Sequence, residues 1–174
     1  YGLPTPDHEP LDAHPTVSGE FLTRVGSGDI GIKPAIARLD GDGVIFADGS
    51  RERVDAIITA TGYNIEFPFL SPQDARVTDN HIPLYKRMVQ ADPALHSLWF
   101  MGLAQSLPTL VNVAEPQSKL LVTYLSGRYA LPSPQEMARV IVEEERRYQG
   151  HYYASRRHTM QVNFEPYVAD LAKE

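Results

Sequence analysis

The chain contains no cysteine, which excludes disulfides, thiolate nucleophiles and cysteine-ligated zinc. It has no apolar run near the ~20 residues that a membrane-spanning helix needs. Its opening, Tyr1-Gly2-Leu3-Pro4, carries no secretory pattern. Basic residues are outnumbered, 16 Lys and Arg against 22 Asp and Glu, for a formal net charge of −6. That balance disfavours nucleic acid and anionic membrane as partners, and a cytoplasmic location is expected. No G-x-S-x-G elbow supports a serine hydrolase, and there is no internal repeat or low-complexity segment. The six histidines never pair at i, i+4 with a nearby carboxylate, as zinc helices require. His8 and His14 lie in a proline-rich arm, and His151 and His158 in a basic, aromatic tail. Each is read as solvated or structural, and no metal site is expected. What remains is an ordinary globular composition: 174 residues, 43% hydrophobic and 22% charged. This suffices for one sizeable core or parts of two smaller units. The start without Met is read as a piece of a longer chain.

Residues 1–20 hold Pro4, Pro6, Pro10 and Pro15 and read as an extended arm. From Gly28 the pattern turns to β. Ile30 with Ile32, Ile36 to Leu39, and Val44 to Phe46 form short runs, the last two closed by D-G-D-G at 40–43 and by Asp48-Gly49. Asp-Gly between apolar runs signals hairpins. V-D-A-I-I-T-A at 54–60 then reads as a strand buried on both faces, ending at the Thr61-Gly62-Tyr63 corner. Phe67, Phe69 and Leu70 are too apolar for a free loop and are expected to pack. Residues 82–90 add an extended stretch. Leu98 to Leu103 reads as a second buried strand, leaving through A-Q-S-L-P-T-L-V-N-V at 104–113.

Helices dominate the remainder. Pro116 suits a first turn, Leu120, Leu121, Tyr124 and Leu125 form a stripe, and Gly127 a stop. Ser133, Pro134 and Glu136 mark a capping box. Met137, Val140, Ile141, Glu144 and Tyr148 share the face that follows, while the run Glu143 to Glu145 reads as solvated charge. Arg156 and Arg157 are read as local salt-bridge formers, and Tyr167, Val168 and Leu171 as a short amphipathic stretch.

Two strand exits are the candidate site, because ligands of doubly wound α/β sheets sit at the carboxyl ends of strands. One is Thr61-Gly62. The other runs from Gly102 towards Asn112 and offers Gln105, Ser106 and Thr109, with loop N–H groups able to meet a ring carbonyl. A turn or capping role is the alternative for each side chain.

The whole chain resembles the C-terminal half of the flavin-containing monooxygenases, the bacterial and animal class B flavoprotein monooxygenases. The resemblance runs in order through G-D-I-G-I-K-P-A-I at 28–36, F-A-D-G-S before V-D-A-I-I-T-A-T-G-Y, and F-P-F-L at 67–70. It continues through I-P-L-Y-K-R at 82–87, F-M-G-L-A-Q-S-L at 100–107, E-P-Q-S-K at 115–119, L-P-S-P-Q-E-M at 131–137 and S-R-R-H-T-M-Q at 155–161. It implies an α/β, partial two-dinucleotide-binding-domain (Rossmann-like, FAD/NAD(P)-binding) flavoprotein fold. Residues 1–59 would end an NADPH-binding domain and residues 60–174 an FAD-binding domain. Cofactor contacts would then fall on Thr61, Gly62, Gln105, Ser106, Thr109 and Leu110.

The implied activity is that of an FAD- and NADPH-dependent monooxygenase acting on nitrogen or sulfur nucleophiles through a flavin hydroperoxide. The implied partners are the N-terminal half of the same enzyme (covalent or as a separate chain), a small nucleophilic substrate and O₂, with homodimerisation left open. Absent cysteine excludes the two-domain flavin disulfide reductases, which need a Cys pair. Neither of the two glycine fingerprints that the family needs for FAD and NADPH is read in this chain. The catalytic residues are therefore assigned to the other half, and these residues alone are expected to be inactive. The alternative is a non-catalytic α/β assembly subunit that keeps the fold.

Overall fold

The structure, a computed structural model, describes residues 1–13, 15, 17–107, 109–150, 152 and 155–174. The readings placed on His14, His151, Tyr153 and Pro108 lie outside the described residues. The chain divides into two compact units, Tyr1–Glu9 with Pro15–Gly62, and Pro10–His14 with Tyr63–Glu174.

In the first unit a helix that the sequence reading did not foresee, α1 (Phe21–Ser27), ends at Gly28, whose φ of +82° closes it against Arg24 and Val25 carbonyls. Three antiparallel strands follow, β1 (Ile36–Asp40), β2 (Gly43–Phe46) and β3 (Arg51–Arg53), in the order β1-β2-β3. Both Asp-Gly turns close hairpins as expected. The central strand buries Val44 and Phe46, whereas the edge strands stay exposed. The edges are held by charge instead. Arg51 spans Asp40 and Asp42 at 2.8 Å each, and Arg38 reaches Asp40 at 3.1 Å. Hydrogen bonds from Arg51 and then Arg38 hold the exposed Asp40 carboxyl below its ordinary range.

Gly43 has the tightest position in the first unit. A Cβ there would lie 2.4 Å from the Glu52 carbonyl oxygen on the paired strand. Gly43→Val is expected to cost about 2 kcal/mol and to abolish amide-exchange protection over Val44 to Phe46, with Leu84 to Val89 unaffected.

Two strand expectations in the first unit fail. Ile30 and Ile32 belong to no strand, and V-D-A-I-I-T-A is neither strand nor buried: Ile57 is half exposed and Ile58 is 89% exposed. Its last ladder contact is the Val54 amide on the Asp42 carbonyl, at 3.1 Å. Beyond it no described residue pairs with the run, and a strand without a neighbour cannot satisfy its backbone.

The second unit is built on a tight turn. The Tyr85 amide donates to Val89 O (2.7 Å), the Val89 amide returns to Tyr85 O (3.2 Å), and the Phe100 amide reaches Met88 O at 2.7 Å. Successive residues of this hairpin feed different cores. Ile82 and Leu84 pack with Ala75, Phe100 and Met160; Tyr85 and Val89 pack with Met137 and Ile141; Met88 packs with Ala104, Val113, Leu120, Val162, Tyr167 and Leu171. The run 98–103 is therefore not a strand. Only Trp99 bridges, to Val89, and Gly102 turns away at φ +72°. In the F-P-F-L loop Phe67 and Leu70 pack as expected, but Phe69 is exposed.

Three helices complete the unit: α2 (Leu110–Leu125), α3 (Pro134–Gln149) and α4 (Phe164–Leu171). Pro116 sits inside α2 rather than in its first turn, because Thr109, extended, already serves as N-cap. α3 starts as read, with Ser133 Oγ accepting from the Glu136 amide. The Glu136 carboxylate does not close the box; Arg139 engages it at 2.7 Å. Met137, Ile141, Glu144 and Tyr148 face inward. No helix among the described residues is long and apolar enough to cross a membrane.

Candidate functional site

The stretch from Gly102 to Leu110 is held at three places. At its centre, the Gln105 amide donates to Met160 O (2.9 Å) and the Val162 amide to Gln105 O (2.7 Å). These bonds explain the S-R-R-H-T-M-Q segment, which is itself tied back. The Thr159 hydroxyl donates to Asn80 O at 2.5 Å, and the Asn80 side-chain amide donates to Arg156 O at 2.7 Å. Arg156 and Arg157 find no carboxylate partner among the described residues, contrary to their expected salt-bridge role; their contributions are main-chain.

At the entry, the Gly102 N–H donates to Gln117 Oε1 at 2.8 Å. Gln117 Nε2 donates to the Tyr167 hydroxyl at 2.6 Å, and that hydroxyl donates to Lys86 O at 2.7 Å. At the exit, Leu110 lies over Gly102, its Cδ1 3.4 Å from where a Cβ would stand. The sequence reading missed both Gln117 and Tyr167. The available signal was a polar residue at 117 sharing one helical face with Val113 and Leu120.

The expected site residues are distributed as follows. Ser106 is buried; Gln105 and Thr109 are exposed; Leu110 is 55% exposed at the first position of α2. These four share one anchored stretch. Thr61 and Gly62, the latter at φ +89°, end the exposed run that closes the first unit. The Thr109 hydroxyl makes no capping bond, and the Leu110 and Val111 amides, which have no acceptor within the helix, meet none among the described residues. Exposed Met101, Leu107, Leu110 and Val111 border them. Open donors beside exposed apolar side chains suit a flat ring with carbonyl edges.

The glycine pattern needs correction. G-x-G-x-x-G does occur, once, as Gly26-Ser27-Gly28-Asp29-Ile30-Gly31. It closes α1 instead of opening a helix after a strand. A phosphate cradle needs the N-terminal end of a helix, so these letters supply no fingerprint.

Beneath the Tyr85–Val89 turn lies a charge cluster that includes Glu144, expected in a solvated run. Lys86 and Arg87 occupy the left-handed region at φ +51° and +54° with side chains buried. Lys86 Nζ meets Asp170 at 2.5 Å, Glu174 at 3.2 Å and Glu144 at 3.6 Å. Glu144 is thus a buried partner, not part of a solvated run, and Glu145 is half buried against His81 Nε2 at 3.1 Å. Burial pushes the Glu144 carboxyl up to about 7 against the pull of Lys86. Burial opposes the Lys86 charge, yet the hydrogen bond to Asp170 and the fields of Glu144 and Asp170 raise its pKa overall. Asp170, also part-buried, is held below its ordinary value by Lys86. Below about pH 7, Asp170 carries the charge in this cluster and Glu144 the proton. Among the described residues no group of three or more His, Asp or Glu side chains is placed to hold a metal ion.

All 174 residues match the family model described as flavin-binding monooxygenase-like. Flavin-containing monooxygenase 5 of Oryctolagus cuniculus is 34% identical over 173 residues, which cover 99% of this chain and 32% of that protein. The N-oxide-forming dimethylaniline monooxygenase 2 of Pan troglodytes is 31% identical over 175 residues, again covering 32% of its length. The chain thus spans about a third of the length of the curated relatives it matches. Among solved structures, an S-allyl-L-cysteine S-oxygenase from Allium sativum superposes on 80% of this chain and 32% of its own, with TM-score 0.61 and 31% identity.

Proposed function

The chain belongs to the flavin-binding monooxygenase-like family, and from that premise we propose that it is the C-terminal part of an FAD- and NADPH-dependent monooxygenase acting on nitrogen or sulfur nucleophiles. Residues 1–59 would complete an NADPH-binding domain and 60–174 an FAD-binding domain, both Rossmann-like, joined at Thr61-Gly62. The observation that carries this reading is the anchored 102–110 stretch, with open donors at the start of α2 and exposed Leu110 and Val111 beside them. Support for the substrate atoms comes from the relatives: one is named for forming an N-oxide and another for oxygenating sulfur.

FAD bound there and reduced by NADPH would supply the activation of O₂ and the transfer of one oxygen atom. This chain's part is to bind and enclose. The Leu110 and Val111 amides would hold a ring carbonyl. Leu107 and Leu110 would cover the ring face and exclude water, which matters because water and stray protons divert activated oxygen. Gln105 and Ser106 would line the remaining edge. The pyrophosphate cradles would come from the N-terminal partner segment, so residues 1–174 alone would neither hold FAD tightly nor turn over.

The test is the full-length protein. It should be yellow, oxidise NADPH with O₂ uptake, and return one N- or S-oxide per NADPH with a tertiary amine or thioether. A colourless, stable protein inert to NADPH would leave the non-catalytic assembly subunit. Thr109→Trp in the same protein should reduce bound flavin or uncouple NADPH oxidation by roughly tenfold. Unchanged flavin content and coupling would remove this stretch from the site.

A further inference from the structure

We infer that Gln117 and Tyr167 are positioning residues that set the flavin-facing 102–110 stretch through a directional hydrogen-bond relay; this rests on the reading above. The relay has one possible sense. The Gly102 N–H can only donate, so the Gln117 atom facing it is Oε1, at 2.8 Å. Nε2 must then face Tyr167, whose hydroxyl accepts at 2.6 Å and spends its own proton on Lys86 O, at 2.7 Å. Each polar atom of the relay has a partner, and the side chains of Gln117 and Tyr167 lie within the core, 0% and 1% exposed.

An amide buried among Val113, Leu120 and Leu171 is costly unless both its ends are satisfied. An apolar residue at 117 would pack there without that demand. What the amide adds is a fixed position for the Gly102 N–H. Gly102 stands at φ +72° with Leu110 seated over it, so that N–H locates both ends of the loop. The far end of the relay is the main chain of the left-handed Lys86–Arg87 turn, which the α3 and α4 carboxylates hold by the Lys86 side chain. Gln117 and Tyr167 touch no proposed cofactor atom; they act through Gly102 and Leu110.

The experiment uses the full-length enzyme with a thioether substrate, measuring bound flavin, its visible spectrum, and H₂O₂ released per NADPH. Each NADPH oxidised without oxygen transfer passes two electrons to O₂ and, with a proton, yields one H₂O₂ and NADP⁺. Tyr167→Phe keeps the ring and removes the hydroxyl at the centre of the relay. It should raise the H₂O₂ fraction roughly threefold to tenfold and shift the flavin band. Gln117→Met should do the same, the double variant adding little, and it carries the test should Tyr167→Phe fail to fold. Val113→Ala, a truncation in the same core, should lower Tm without changing coupling or spectrum, which separates positioning from stability. Unchanged coupling and spectrum in both relay variants, with flavin retained, would overturn the inference. A flavin-free wild type would overturn the underlying reading, and this one with it.

Discussion

Lys86→Met is expected to destabilise the protein by about 3–5 kcal/mol, a fall in Tm of roughly 10 °C. The Lys86 side chain is 6% exposed and is met by Asp170, Glu174 and Glu144. Removing it leaves Asp170 charged beside Glu144, with the exposed Lys173 its one other ion-pair partner among the described residues, while burial opposes the charge of the neighbouring Arg87. The backbone adds to the effect. Two successive non-glycine residues at positive φ cost on the order of 1–3 kcal/mol each, and the ion pairs of Lys86 hold that conformation. Lys173→Met is the control. Lys173 is exposed and 3.9 Å from the same Asp170, so its loss should change stability by less than about 0.5 kcal/mol. Thermal denaturation of both variants checks this; equal, small shifts would mean that the cluster contributes nothing to stability.

What the sequence made legible was local. The α3 start depends on Ser133, Pro134 and the Glu136 amide, three residues apart, and both hairpins follow from Asp-Gly pairs between apolar runs. Non-local features were misread for one reason: a pattern states what could be buried, not whether a neighbour exists to bury it. Val54 to Ala60 has the composition of a doubly covered strand, and no described residue pairs with it beyond Val54. Its Ile57 and Ile58 are exposed in a chain that spans a third of its relatives. Glu144 fails in the opposite sense. One acid on an apolar helix face looks the same whether solvated or paired, until the fold brings Lys86 to it. The letters of Gly26 to Gly31 show that a motif without its strand and helix carries no site. Within the candidate site, Gln105, Ser106 and Thr109 were selected as small polar residues at a strand exit, whereas Gln117 and Tyr167 lie on helices remote in sequence from Gly102.

Glu144→Gln is expected to flatten the dependence of stability on pH between about 5 and 8. Glu144, 6% exposed, has its carboxyl pushed by burial from 4.5 up to about 7. Over that window the folded chain keeps a proton that the unfolded chain has released, so unfolding releases protons and stability falls as pH rises. The contribution is complete below about 4.5 and gone above about 7. At 1.36 kcal/mol per pH unit it amounts to at most about 3 kcal/mol. Asp170 works in the other direction. Its carboxyl lies below 3.8, so its stabilisation is present at neutral pH and is lost only in more acid solution. The remaining groups facing Glu144 are Lys86 and Arg87 from the turn, Arg147 and Tyr148 on α3 and Tyr167 on α4. Burial raises both tyrosines, which stay neutral throughout the window. Glutamine reproduces the protonated acid, so the variant should match wild type near pH 5 and exceed it near pH 8, by denaturant unfolding at each pH. A variant that instead loses stability at pH 8 relative to pH 5 would mean that Glu144 is ionised in the folded state and that its pairing with Lys86 outweighs its burial.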